Sequence, residues 1–207
     1  MGIALFGGSF DPFHNGHLMI LKELRKLGLF DAIYIVPSHK PPHKKSHFVS
    51  SFHRCEMIKI AIKEELENDE IFKINLFEIN KLSYSWTIDT VRYFLRLDPT
   101  ISLVMGEDSY LNLHKWKDYL RLIDLVDLCV LMRTCEGVSE LHDYFCSHIS
   151  DDPCYLKKIK FIKNSIIPIS STMIRDSILN ETAVNYVSSS VLKYITTNNL
   201  YQKEVKE

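Results

Sequence analysis

The chain has 207 residues, 46% of them hydrophobic and 25% charged, with a formal net charge of −1; this is the balance of an ordinary globular domain long enough to bury a core. The absence of a basic excess argues against a general nucleic-acid binder, and no apolar run nears the roughly 18 residues of a membrane span. Five cysteines, Cys55, Cys129, Cys135, Cys146 and Cys154, form no even, closely spaced framework, so a reducing, cytoplasmic setting is expected.

Ile3 to Phe6 is read as a buried strand, entered without the basic and apolar segments of a signal peptide. Leu18, Leu21, Leu24 and Leu27 recur at helical spacing. They predict a helix over 15–27, with Asn15 as N-cap and Gly28 as stop. A β-rich run from Ala32 to Val36 ends at Pro37, and a polar loop over 38–51 follows. A helix over 52–66 precedes the alternating run Phe72 to Ile79, which reads as a strand. Next come a helix over 87–97, a strand from Ile101 to Met105, a mostly helical stretch over 108–124 and a strand from Leu128 to Met132. The stretch 134–158 fits the alternation least well and is read as a surface excursion. Its cysteines lie near His142 and His148, but no C-x-x-C or H-x-x-x-H pair supports zinc. Lys160 to Ile162 is a last short strand, followed by helices near 171–180 and 188–198.

Strands alternating with helices predict an α/β fold, a Rossmann-like doubly wound parallel sheet with C-terminal helices. Ligands in such sheets bind at the carboxyl ends of the strands. One domain over 1–207 is expected, its C-terminal helical part covering about 165–207.

Five stretches carry chemistry. The run GGSFDPFHNGH, Gly7 to His17, follows the first strand and holds three of the seven glycines. Gly7 and Gly8 let backbone N–H groups approach an anion, and the helix that follows turns its positive end to the same place. Gly16 removes a side chain from that first turn. His14 and His17 are one turn apart, so both rings can face one ligand. Six of the nine histidines fall between 14 and 53, more than a tight turn needs. Pro37 to Lys45 is a proline-stiffened basic loop after the second strand. Ser83 to Thr90 brings hydroxyls and aromatics to a helix entry, with Ser85 placed to cap it. After the fourth strand, Gly106 and Asp108 can set a carboxylate on a ribose hydroxyl, and Trp116 lies downstream. In Ile169 to Arg175, Ser170 and Ser171 start a helix and Thr172 and Arg175 share one face, which makes a second anion site. Each stretch alone also fits a capped helix, a solvated loop or a core aromatic. Together they offer two phosphate-binding helix starts, a basic loop and stacking aromatics. They offer no Ser-His-Asp set, carboxylate pair or cysteine nucleophile.

With these residues the chain resembles the bacterial nicotinate-mononucleotide adenylyltransferases of NAD biosynthesis (the nicotinate-nucleotide adenylyltransferase family). These belong to the nucleotidyltransferase superfamily, whose signature is G-G-[ST]-F-D-P-x-H-x-G-H; Gly7 to His17 matches it throughout. The narrower family marks include Pro41-Pro42-His43-Lys44, His53-Arg54 with Met57, and Thr87-Ile88-Asp89-Thr90. Gly106-x-Asp108, Trp116 and Ile169-Ser170-Ser171-Thr172-x-Ile174-Arg175 complete them, and the resemblance runs from residue 3 to about 201. Trp86 stands where the family has a tyrosine, with Tyr84 two residues earlier. That leaves open which of Tyr84, Trp86 and Trp116 lies on the pyridine ring. Ser188-Ser189-Ser190 replaces the usual Val-Pro before the last helix.

The resemblance implies adenylyl transfer from ATP to nicotinate mononucleotide, giving nicotinate adenine dinucleotide (deamido-NAD) and pyrophosphate without a covalent enzyme intermediate. It implies catalytic roles for His14, His17 and Arg175. It assigns Gly7, Gly8, Ser9, Phe10, Gly106, Asp108, Ser170, Ser171 and Thr172 to ATP, and His43, Lys44, Trp86, Thr87 and Trp116 to the mononucleotide. Mg²⁺ is expected on the ATP phosphates rather than in a protein cage, and Asp11 is taken as structural. ATP and nicotinate mononucleotide are the expected partners, with no nucleic acid and no membrane; a homo-oligomer is left open. Rival readings are a pantetheine-phosphate or nicotinamide-mononucleotide adenylyltransferase, or a non-catalytic nucleotide sensor. A pantetheine-phosphate enzyme is not expected to carry Pro41 to Lys44 or Thr87 to Thr90. The intact histidines and Arg175 argue against a silent sensor.

Overall fold

Short apolar runs alternating with amphipathic helices build one sheet in the computed structural model, which describes residues 2–41, 47–81, 83–132, 137–163, 169–179 and 186–202. β1 (Gly2–Gly8) leads into α1 (Asn15–Leu27), β2 (Phe30–Pro37), α2 (Ser51–Glu65) and β3 (Phe72–Ile74). α3 (Phe77–Asn80), α4 (Thr87–Phe94), β4 (Ile101–Gly106) and α5 (Glu107–Tyr110) follow. A 3-10 turn over Leu113–Lys115 precedes α6 (Tyr119–Leu125), β5 (Asp127–Met132) and α7 (Val138–His148). α8 (Pro153–Leu156), β6 (Ile159–Lys163), α9 (Ser171–Leu179) and α10 (Ser189–Thr197) complete the described chain. The strands lie in the order β3-β2-β1-β4-β5-β6, each pair parallel. This is the expected Rossmann-like α/β sheet.

Side chains alternate across it. Ala4 and Phe6 of β1 join Ile33 and Ile35 of β2 on one face, covered by Leu21 of α1, Met57 of α2 and Val191 of α10. Ile3 and Leu5 join Val36, Leu103 and Met105 on the other, covered by Val91 of α4, Leu122 of α6 and Phe145 of α7. Helices on both faces explain why the strands are apolar almost throughout.

The strand order reverses between β1 and β4, the place where such a sheet opens a crevice. The register shows it opening. Phe6 opposite Val104 is the last pair between these strands, whereas β1 runs on to Gly8 and β4 to Gly106.

Four expectations change. The alternating run 72–79 is a strand only to Ile74: Asn75 ends it, its side-chain oxygen accepting the Phe77 N–H at 2.9 Å and starting α3 instead. Asn15 is the first residue of α1 rather than its cap; His14 is the N-cap, and the Asn15 N–H donates to the Tyr186 carbonyl at 2.9 Å. The 108–124 stretch is broken into α5, the 3-10 turn and α6, with Asp118 in the left-handed region (φ 53°) before the last. The excursion after β5 is not mere surface: α7 buries Leu141 and Phe145 in the core. Gly28 stops α1 as expected, in the left-handed conformation at φ 61°.

Candidate active site

The end of β1 is shaped by what a side chain would strike. A Cβ on Gly8 would lie 2.9 Å from the Phe10 ring, and one on Gly16 would lie 3.1 Å from the His14 ring. Phe10 itself is 1% exposed at φ 49°, so its ring belongs to the core and it holds the loop from below. Gly7 stays exposed beside it. Arg54 of α2, 1% exposed, ties the ends of two strands together: its guanidinium donates to the Ser9 carbonyl at 2.7 Å and the Ser38 carbonyl at 2.8 Å.

His14 and His17 stack at the start of α1, ring centroids 3.6 Å apart. His17 Nδ1 accepts the His14 N–H at 3.3 Å. Burial pushes the His14 pKa down to about 4, so its ring is neutral at physiological pH.

A cavity of about 620 Å³ fills the β1/β4 crevice. Gly7, Gly8, Ser9 and His17 line it, with Gly106 and Asp108 from the end of β4. Trp86, Thr87 and Trp116 line it as well. Tyr84 does not line it; its ring is exposed, with the Lys40 ammonium 4.8 Å from the centroid. Nor does Ser85 cap α4. Its hydroxyl accepts from the His39 and Lys40 N–H groups at 2.9 and 3.3 Å, so it braces the loop after β2 against the helix entry. With Trp86 at the N-cap and no side-chain cap, the Thr87 and Ile88 amides of α4 are left without an intrahelical partner, while the Asp89 N–H donates to the Trp86 carbonyl at 3.0 Å.

Ser170, Ser171, Thr172 and Arg175 do not line this cavity. Ser170 caps α9 by accepting the Met173 N–H at 3.2 Å. Thr172 and Arg175 border a second groove, with Phe48 and His53. The start of α9 nevertheless abuts the Gly7–His17 motif. Ser171 Oγ donates to the Pro12 carbonyl at 3.4 Å, and Arg175 donates to the Asp11 carbonyl at 2.6 Å. Arg175 also donates to Thr172 Oγ1 at 3.0 Å and lies 4.1 Å over the Phe48 ring. Thr172 and Arg175 thus share a face as the spacing required. His43 and Lys44 lie outside the described residues.

Asp11 is structural. Its carboxylate accepts the Phe48 N–H at 2.7 Å and the Tyr201 hydroxyl at 2.8 Å, with His47 3.6 Å away. Burial pushes its pKa up, but the hydrogen bonds from Phe48 and Tyr201 and the nearby His47 ring outweigh that and hold it below the usual carboxylate range.

Several wall residues carried no signal that sequence reasoning used. Lys115 and Lys117 line the cavity, and the Lys117 ammonium lies 5.1 Å from the Trp86 ring centroid. Glu78 is buried in the same wall, accepting from Thr90 Oγ1 at 2.6 Å, and burial raises its pKa. Ser38, inside the Pro37–Lys45 stretch that the sequence does single out, lines it just after β2. Glu78 sat in a run read as a strand, where its side chain had no assignable direction. The two lysines fall in the stretch 108–124, which the sequence marks only as mostly helical. Among the described residues, no three His, Cys, Asp or Glu side chains gather as a metal site, and no helix is long and apolar enough to cross a membrane.

The cytidylyltransferase-like family model matches residues 5–177. The chain is 33% identical over 203 residues to the Leptospira borgpetersenii protein named "Probable nicotinate-nucleotide adenylyltransferase", covering 97% of this chain and 96% of that one. It is 35% identical over 209 residues to the Borrelia garinii protein of the same name, covering 99% and 97%. Among solved structures, it superimposes on Plasmodium falciparum nicotinic acid mononucleotide adenylyltransferase complexed with NaAD, with a TM-score of 0.72, 23% identity and 97% of each chain covered. At that identity the likeness speaks for the fold.

Proposed function

The chain belongs to the cytidylyltransferase-like family and, within it, to the nicotinate-nucleotide adenylyltransferases, and from that premise we propose how its cavity transfers an adenylyl group from ATP to nicotinate mononucleotide. The products are nicotinate adenine dinucleotide and pyrophosphate, in NAD biosynthesis. One observation carries the reading: a single cavity in the β1/β4 crevice is lined both by the glycine-and-histidine motif and by Trp86, Thr87 and Trp116. Two substrates held in it together meet.

A 5′-phosphate oxygen of the mononucleotide attacks the α-phosphorus of ATP. The bond from that phosphorus to the bridging oxygen breaks, and pyrophosphate leaves with the electron pair. The protein need only align the two and stabilise the charge. The Gly7–Ser9 backbone passes close to the phosphates, and His14 and His17 donate to their oxygens. Gly106 and Asp108 address the adenosine. Ser170, Ser171, Thr172 and Arg175 hold the β- and γ-phosphates from the flank, where α9 touches Asp11 and Pro12. Phe10 serves by fixing the backbone above its ring. Mg²⁺ enters with the ATP phosphates as part of the substrate. Trp116 takes the pyridine ring, because the Lys117 ammonium already lies over Trp86. His43 and Lys44 keep the mononucleotide side on the resemblance alone. We read residues 1–207 as one nucleotidyltransferase domain working in the cytoplasm; the described cysteines, Cys55, Cys129, Cys146 and Cys154, are free thiols.

Pyrophosphate release from ATP tests the reading with three acceptors: nicotinate mononucleotide, its amide and pantetheine phosphate. Fastest release is expected with the first. Release with pantetheine phosphate alone, or with none, overturns it.

A further inference from the structure

The helix α7 lies in the segment after β5 that sequence reading could give no role. Its buried side is fixed: Leu141 is 4% and Phe145 0% exposed, and the buried Tyr110 hydroxyl donates to the Leu141 carbonyl at 3.3 Å. Its other side reaches the turn that carries Trp116. That turn, Leu113–Lys115, is short, and Trp116 closes it, its N–H donating to the Leu113 carbonyl at 2.9 Å. Leu113 is buried below. Asn112, Lys115, Trp116 and Lys117 face the cavity, whereas His114 does not.

His114 points to α7, where one oxygen holds it twice. Tyr144 Oη is 2.8 Å from His114 Nδ1, and it accepts the His114 N–H across a longer 3.4 Å. A neutral imidazole can make this bond with Nδ1 either as donor or as acceptor, because the phenol has both a proton and a second lone pair. Partial burial, Lys115 and His148 all hold the His114 pKa down, which favours that form. Behind Tyr144 stands more packing. His148 stacks on it at 4.9 Å between centroids, and Tyr110 meets it edge-on at 5.5 Å. A 3-10 turn makes few hydrogen bonds of its own, so its position depends on such outside anchors.

We propose that Tyr144 is a positioning residue for the mononucleotide site: its hydroxyl fixes the His114 turn and, through it, the indole of Trp116 in the cavity wall. The proposal rests on the reading that Trp116 meets the pyridine ring. Tyr144 itself touches no substrate, since it does not line the cavity. Its oxygen acts two residues away from the ring it places.

Tyr144→Phe in the full chain is the test, because it keeps the packing and removes only the hydroxyl. The KM for nicotinate mononucleotide should rise about three- to tenfold, as expected when a contacting group is left loose. The KM for ATP should stay within about twofold, since Asp108 and the glycine loop are untouched. His114→Ala should act alike, and the double variant should be no worse than either single one, as for two residues sharing one interaction. The chain has two tryptophans, so a Trp86→Phe background, used for spectroscopy alone, isolates Trp116. There, Tyr144→Phe should red-shift its emission and make it easier to quench with acrylamide. A lowered melting temperature with unchanged mononucleotide KM and unchanged quenching overturns the proposal. If Trp116→Ala raises that KM and Tyr144→Phe does not, the positioning role falls and the reading of Trp116 stands. If Trp116→Ala has no effect, both fall.

Discussion

The imidazoles of His14 and His17 stack 3.6 Å apart and 21° from parallel. Two cations that close would repel, and burial already disfavours a charge on His14, holding its pKa at about 4 against an ordinary 6.5. The unfolded chain therefore binds a proton on His14 that the folded chain refuses. The stability this group contributes is complete above pH 6.5 and is lost as pH falls towards 4. At ~1.4 kcal/mol per pH unit, the limit is about 3 kcal/mol. Urea unfolding at pH 7.5, 6 and 5 should show that loss, and His14→Asn should flatten it. An unchanged slope in the variant would mean that other groups carry it.

His17 is held by three phenylalanines, with Phe6, Phe10 and Phe13 centroids at 6.0, 4.9 and 5.3 Å. It also lines the cavity. A ring fixed in this way is a preorganised donor. His17→Ala should slow turnover ~10²–10³-fold, the usual loss for one donor to transition-state charge. Circular dichroism should still show the native fold. Near-normal turnover in a folded variant would make His17 a packing residue.

Tyr201→Phe tests the link between the C-terminal end and the first motif. It leaves one oxygen of the buried Asp11 carboxylate without its donor. An unpaired buried acceptor costs ~1–3 kcal/mol, measurable by urea unfolding at pH 7. A variant as stable as the wild type would show that water replaces the phenol at no cost.

The alternation of strands and helices made the doubly wound sheet legible, since each period is written in apolar residues such as Leu18, Leu21 and Leu24. That a ligand binds at the carboxyl ends of the strands followed from Gly7, Gly8 and Gly106 placed there, whereas the strand order that opens the crevice between β1 and β4 did not. What stayed hidden was set by contacts between distant segments. Nothing local says that Ser85 bonds to the loop after β2 at residues 39–40 rather than to its own helix. Nothing local says that Asn75 turns the chain out of β3, or that α7 anchors the turn before Trp116. The buried Arg54 stood in a family mark, but its clamp on Ser9 and Ser38 needs two other strands in place.

Arg175 uses its planar fork in three directions at once, on Asp11, on Thr172 and over the Phe48 ring. Lysine keeps the charge and loses the fork. Arg175→Lys should raise the KM for ATP and slow turnover. If only the melting temperature changes, Arg175 is a packing residue and α9 offers no second anion site.

Substrate choice is the last test. Nicotinate mononucleotide and its amide differ by a carboxylate against a carboxamide. The entry of α4 offers amides with no intrahelical partner and no side-chain cap, beside Trp86 and Thr87 in the cavity wall. The helix dipole there favours negative charge. The ammonium of Lys117 lies against the same wall. A carboxylate accepts from all of these, whereas an amide turns its NH₂ towards donors. Each buried group left unpaired costs ~1–3 kcal/mol, so a preference of at least about tenfold in kcat/KM for the acid is expected. Stacking on Trp116 does not distinguish the two, so Trp116→Ala should weaken both and keep their ratio. Lys117→Ala should narrow the ratio, because it removes a charge that only the acid uses. Glu78 bears on the same balance: it is buried in this wall, burial raises its pKa, and the Thr90 hydroxyl donates to it at 2.6 Å. Equal kcat/KM for acid and amide in the wild type would sink this account of the pocket and leave the adenylyl transfer itself untouched.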